Sequence, residues 1–125
     1  MKKSLMTDKA PQPVGPYSQA ISFKELIFIS GQIGIDVKTG KLVDGIENQT
    51  QKVMENIKNI LEEAGLNFGN VLKTTIFLTN MADFPKVNEI YSSYLKEPYP
   101  ARSTIEVKSL PKGALIEVEV IAGRW

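Results

Sequence analysis

The chain has 125 residues, 42% of them hydrophobic and 23% charged, with a net charge of +1; this suits one domain with a single core and little room for a deep private pocket. It contains no cysteine and no histidine, which excludes disulfides, thiolate nucleophiles, cysteine metal sites and the commonest general base. No basic stripe of the kind used to bind a phosphate backbone is visible, so nucleic acid is not an expected partner.

Lys2 and Lys3 open the chain, but no apolar stretch follows them, so MKKSLMTDKAPQP does not read as a secretory signal. The longest apolar run, near Leu26–Ile29, is far too short to span a bilayer. A cytoplasmic protein is expected. Residues 8–16, rich in proline, read as a lead-in loop. Ala20–Phe23 and Leu26–Ser30 read as two short strands turning at Lys24-Glu25, the second apolar on both faces and therefore central. Gly31, Gly34, Gly40 and Gly45 punctuate the loop that follows.

Glu47–Ala64 carries the clearest helical period, with Val53, Ile57, Ile60, Leu61 and Ala64 on one face and Gly65 as a stop. Asn70–Leu78 is β-rich. Asp83 then caps a second helix with Phe84, Val87, Tyr91 and Tyr94 on its face, ended by Pro98 and Pro100. Arg102–Val107 and Leu115–Ala122 read as the last two strands. The fold class is α+β, a single domain over residues 1–125, with an antiparallel or mixed sheet and two helices packed on one face. The other face stays uncovered, which predicts an oligomer packed sheet to sheet.

Strand parity sorts the chemistry. In the last strand Glu117 and Glu119 lie opposite Ile116, Val118 and Val120; in the one before it, Arg102, Thr104 and Glu106 lie opposite Ile105 and Val107. If these two strands pair antiparallel with apolar faces together, Arg102, Glu106, Glu117 and Glu119 share the face that the helices leave bare. Two readings follow: a set of surface ion pairs worth little, or a carboxylate-recognition site with an arginine fork and a glutamate able to hold or deprotonate water. Parity does not choose between them. Tyr17, Ser30, Gly31 and Asn88 are each open to a structural role or a place in a cleft. Nothing matches a phosphate-binding glycine motif.

Four separated strings, APQPVGPYSQA, FISGQIG, VLKTTIFLTNMADFPKVNEIY and PARSTIEVKSLPKGALIEVEVIA, together resemble the Rid family from about Ala10 to Ala122. The likeness is to its RidA branch, through the arginine of PARS and the glutamate of LIEVE. The resemblance implies a chorismate-mutase-like fold assembled as a homotrimer, the sheets forming a central barrel with clefts between subunits. It implies hydrolysis of 2-imino and enamine acids, such as 2-aminoacrylate and 2-aminocrotonate in their imine forms, to 2-keto acids and ammonia, without cofactor or metal. Carried over residue by residue, Arg102 binds the substrate carboxylate and Glu117 positions the attacking water. Gly31 offers main-chain groups near the imine, Tyr17 and Ser30 line the cleft, and Asn88 lies near it. Thr104 stands where many relatives have cysteine, its contact being through the main-chain carbonyl. Two rival functions remain at this level: a translation-inhibiting ribonuclease, disfavoured by the missing histidine and basic stripe, and a non-catalytic small-carboxylate-binding regulator using the same arginine.

Overall fold

In the computed structural model, which describes residues 1–125, two strand–helix–strand crossovers organise the chain. The elements are β1 (Lys3–Leu5), β2 (Ala20–Phe23), β3 (Leu26–Gln32), β4 (Ile35–Asp36), β5 (Lys41–Leu42), α1 (Ile46–Glu63), β6 (Val71–Leu78), α2 (Phe84–Ser93), β7 (Ala101–Glu106) and β8 (Ile116–Gly123). The main sheet has six strands in the order β1-β2-β3-β8-β6-β7. Only β6 and β7 run parallel; the other neighbours are antiparallel. A parallel pair needs a long crossover, and α2 supplies it between β6 and β7.

α1 forms because its apolar residues recur at helical spacing, and it buries Val53, Met54, Ile57, Ile60 and Leu61. Gly65 takes a left-handed φ of 74° just past its end, where glycine avoids the steric cost borne by other residues. α2 buries Val87 and Tyr91 against the same layer. One core joins both helices to Ile27 and Ile29 of β3, Ile76 and Leu78 of β6, and Ile116, Val118 and Val120 of β8. Both helices therefore cover one face of the sheet, as expected from the sequence. No helix is long and apolar enough to cross a membrane.

Three features differ from the sequence reading. β1 and the β4–β5 pair were not expected; with three, two and two residues they are too short to show alternation. α2 stops at Ser93 rather than running on towards Pro98. Above all, β7 and β8 do not pair with each other, because β6 lies between them. Arg102 and Glu106 register with Thr74 and Leu78, both buried on the helix side, whereas Glu117 and Glu119 register with Phe77 and Thr75 on the bare side. The expectation that Arg102, Glu106, Glu117 and Glu119 share one face is thus incorrect. It assumed that Ile105 points into the core; Ile105 is instead 45% exposed on the bare face.

That bare face is apolar over much of its area. Phe23, Leu26, Phe28 and Ile105 are all exposed there, with Ile21, Phe77 and Ile121 half-buried beside them. Such a patch marks an interaction surface.

Candidate active site

Two hollows hold the residues singled out from the sequence. The first, of about 380 Å³, is lined by Tyr17, Gln19, Gly31, Gln32, Lys112 and Glu117 among others. β3 delivers Gly31 at an irregularity, where its register with β8 shifts between Ile29 and Gln32. A bulge of this kind re-aims the strand and is common beside active sites. β8 delivers Glu117, whose carboxyl lies directly over the Gly31 backbone. A Cβ added at Gly31 would sit 2.7 Å from Cδ and 2.9 Å from Oε2 of Glu117.

Buried amides hold the surrounding loops. Gln19 donates to the Thr7 and Pro11 carbonyls at 3.2 and 2.9 Å and accepts from the Thr7 N–H at 2.9 Å. Ser30 donates its hydroxyl to the Ser18 carbonyl at 2.6 Å, which ties the Tyr17 loop to β3. Asn56 of α1 donates to the carbonyls of Ile33 and Ile35 at 3.3 and 3.1 Å, pinning the chain just after Gly31. Tyr17 lies at the rim, 53% exposed. Ser30 is half-buried next to Gly31, with its hydroxyl already engaged.

Burial, and secondarily the charge of Glu119, push the Glu117 carboxyl above its ordinary value. A glutamate moved in this direction is a better proton acceptor than an ordinary carboxylate. Gly31→Ala tests the contact. Gly31 does not have a left-handed backbone, and the obstacle is the end of a flexible side chain, so the variant should fold with unchanged Tm while the carboxylate is displaced. Turnover should fall by ~10²-fold, the cost of an ångström-scale misplacement. Full activity would show that the position of the carboxylate does not matter.

The second hollow, of about 450 Å³, is lined by Asn88, Tyr91, Ser92, Tyr99, Pro100 and Arg102. Arg102 extends over α2. Its Nη1 donates to Asn88 Oδ1 at 2.7 Å, and its Cζ lies 5.2 Å from the Phe84 ring centroid and 5.1 Å from that of Tyr91. The Tyr91 hydroxyl shares a 2.8 Å hydrogen bond with Thr74. Phe84 and Tyr91 were expected only as core residues, and no sequence signal sets a ring under a guanidinium apart from an ordinary apolar stripe. Thr104 lies in the same strand as Arg102, half-buried and lining neither hollow. Its hydroxyl is buried without a hydrogen-bond partner.

The three ion pairs of the fold are Lys52–Glu55, Lys58–Glu62 and Lys86–Glu47. None involves Arg102, Glu106, Glu117 or Glu119, so these four residues do not form the surface ion-pair set that strand parity left open. Glu106 instead accepts from the Met81 N–H at 2.7 Å. No group of three or more carboxylates is placed to hold a metal ion. A single chain therefore presents an anchored guanidinium in one hollow and a glutamate of raised pKa in another, on opposite sides of the sheet.

These halves sit on a known scaffold. Residues 7–123 match the family described as Endoribonuclease L-PSP. The RutC family protein PH0854 of Pyrococcus horikoshii is 53% identical, over 98% of both chains. The human 2-iminobutanoate/2-iminopropanoate deaminase is 45% identical, over 98% of this chain and 90% of its own. Among solved structures, the Rid-family protein YyfA from Yersinia pestis superposes with a TM-score of 0.97 at 50% identity, covering 99% of this chain and all of that one. The chain belongs to the Rid family, the group also described as endoribonuclease L-PSP.

Proposed function

We propose that the protein hydrolyses short 2-imino acids, in equilibrium with their enamines, to 2-keto acids and ammonia. The observation that carries this reading is the Glu117 carboxyl laid over the Gly31 backbone in a hollow wide enough for a small substrate and a water. The relatives named as deaminases support the same chemistry.

In this mechanism Arg102 takes the substrate carboxylate in a bidentate pair. Main-chain groups at Gly31 and Thr104 hold the nitrogen, favouring the protonated imine. Glu117 orients a water towards C2 and accepts its proton as the C–O bond forms. Glu117 hands that proton to the nitrogen of the resulting carbinolamine, the C–N bond breaks to release ammonia, and the hydroxyl proton is lost as the C=O bond of the keto acid forms. Imines are already reactive in water, so positioning and one acid–base group suffice. No cofactor takes part.

Because one chain keeps Arg102 and Glu117 apart, the reading requires a site shared between copies, with Arg102 of one protomer facing Glu117 of the next. The bare apolar face is the surface on which copies meet, and we assign the assembly as a closed homotrimer with the three sheets around a central barrel. Phe28→Asp, on that face and 40% exposed, should leave each chain folded but monomeric, since charge there opposes burial. Sedimentation would show the dissociation, and imine hydrolysis should be lost with it. A monomer that keeps full turnover would contradict the shared site.

The reaction is tested by coupling a serine or threonine dehydratase to keto-acid detection. The protein should accelerate keto-acid release; an unchanged rate would sink the proposal. The ribonuclease reading gains nothing from the site, which offers no histidine for acid–base chemistry.

A further inference from the structure

We propose that Tyr91 is a positioning residue. With Phe84, it brackets the Arg102 guanidinium in advance of ligand, so that the arginine meets a carboxylate already in place. The inference builds on the assignment of Arg102 as the carboxylate binder but concerns what holds it there.

Phe84, Asn88 and Tyr91 follow one another on α2 at i, i+4 and i+7, one face of the helix. Seven residues correspond to about 10.5 Å of rise. A guanidinium just over 5 Å from both ring centroids is therefore held by both rings at once, with its bond to Asn88 on the helix turn between them. The flat cation is attracted to both aromatic faces, and Asn88 takes one of its five N–H donors. No other protein acceptor and no carboxylate engages the rest. An arginine that is ordered yet leaves most of its donors free is set up for an incoming anion.

Tyr91 is itself fixed. It is 5% exposed, and its hydroxyl bonds Thr74, which is 3% exposed. Thr74 is also the residue of β6 in direct register with Arg102 on β7. The parallel pair β6–β7 thus controls both ends of the device, the arginine's backbone and the ring on which its head rests. Ordering the side chain before binding removes an entropy cost that would otherwise fall on the ligand complex.

Arg102 guanidinium NMR signals of the ligand-free protein, read together with imine-hydrolysis kinetics, test this. Wild-type protein should show slow rotation about the guanidinium C–N bonds. Tyr91→Leu and Phe84→Leu should make it fast and raise KM roughly tenfold, with kcat within about twofold. Tyr91→Phe, which retains the ring, should keep the slow rotation and a KM near wild type. If Tyr91→Leu fails to fold, Phe84→Leu at the half-buried end of the bracket carries the same test.

Unchanged KM and slow rotation in the folded leucine variants would overturn the proposal, as would fast rotation in the wild type. Slow rotation in a wild-type protein that hydrolyses no imine would instead refute the reaction while leaving the bracket standing.

Discussion

Arg102→Ala is expected to lower kcat/KM by ~10²-fold or more, since hydrogen bonds to charged groups are worth about 1.5–3 kcal/mol each and a bidentate carboxylate pair supplies two. Arg102→Lys should recover little of this, because a point-charge ammonium cannot reproduce the planar fork or its contact with two rings. Tm should fall by only a few degrees, because the guanidinium makes no ion pair in the fold and what is lost is one exposed hydrogen bond and two ring contacts. A more demanding outcome follows from the separation of the two hollows. Arg102→Ala and Glu117→Ala should each be inactive alone, yet regain activity when unfolded and refolded together. In a closed ring where each site takes its arginine from one copy and its glutamate from another, random mixing restores roughly a quarter of the sites. Recovery of that size, measured by the dehydratase-coupled assay, is possible only for a shared site. No recovery would mean that the two groups do not meet across copies, and activity in either variant alone would mean that its residue has no part in the reaction.

How much of this was legible beforehand depended on which physical rule each element obeys. α1 was readable because Val53, Ile57, Ile60 and Leu61 are buried on one side, and burial enforces the helical period. β3 and β8 were readable as strands for the same reason. The register of β7 was not. Polarity separates inside from outside only when every apolar face is covered by the same chain, and here Phe28 and Ile105 lie on a face the chain leaves open. Ile105 therefore pointed the parity reading the wrong way and carried Arg102 to the wrong side. The order β6–α2–β7 held a better signal, since strand–helix–strand units favour parallel neighbours. That rule places β7 beside β6; the register, with Arg102 opposite the buried Thr74, then turns Arg102 towards α2. The approach of Glu117 to Gly31 had no local signal, because the two residues are far apart in sequence and meet only through the β3–β8 pairing.

Glu117→Gln separates a working glutamate from a structural one, because the two roles move stability in opposite directions. Burial and the neighbouring Glu119 raise the folded-state pKa of Glu117 above its ordinary value of 4.5. Below that value the side chain is neutral in both folded and unfolded chains, and the protein carries no penalty. As pH rises, the unfolded chain releases its proton first, so stability is lost until the pH passes the raised folded value. Once ionised, Glu117 is thus a carboxylate that its surroundings disfavour. Glutamine removes that cost: Tm should rise at pH values above the raised pKa, and the gain should vanish below the ordinary glutamate range. Turnover should nonetheless drop by ~10²-fold, the typical worth of one acid–base group. Glu119→Gln should shift the acid limb of the activity profile to lower pH, since it removes the secondary cause of the raised pKa. A glutamine variant that is less stable at neutral pH would mark Glu117 as part of the fold's own hydrogen bonding. A variant that is more stable and inactive would show stability given up to keep a proton acceptor beside the substrate.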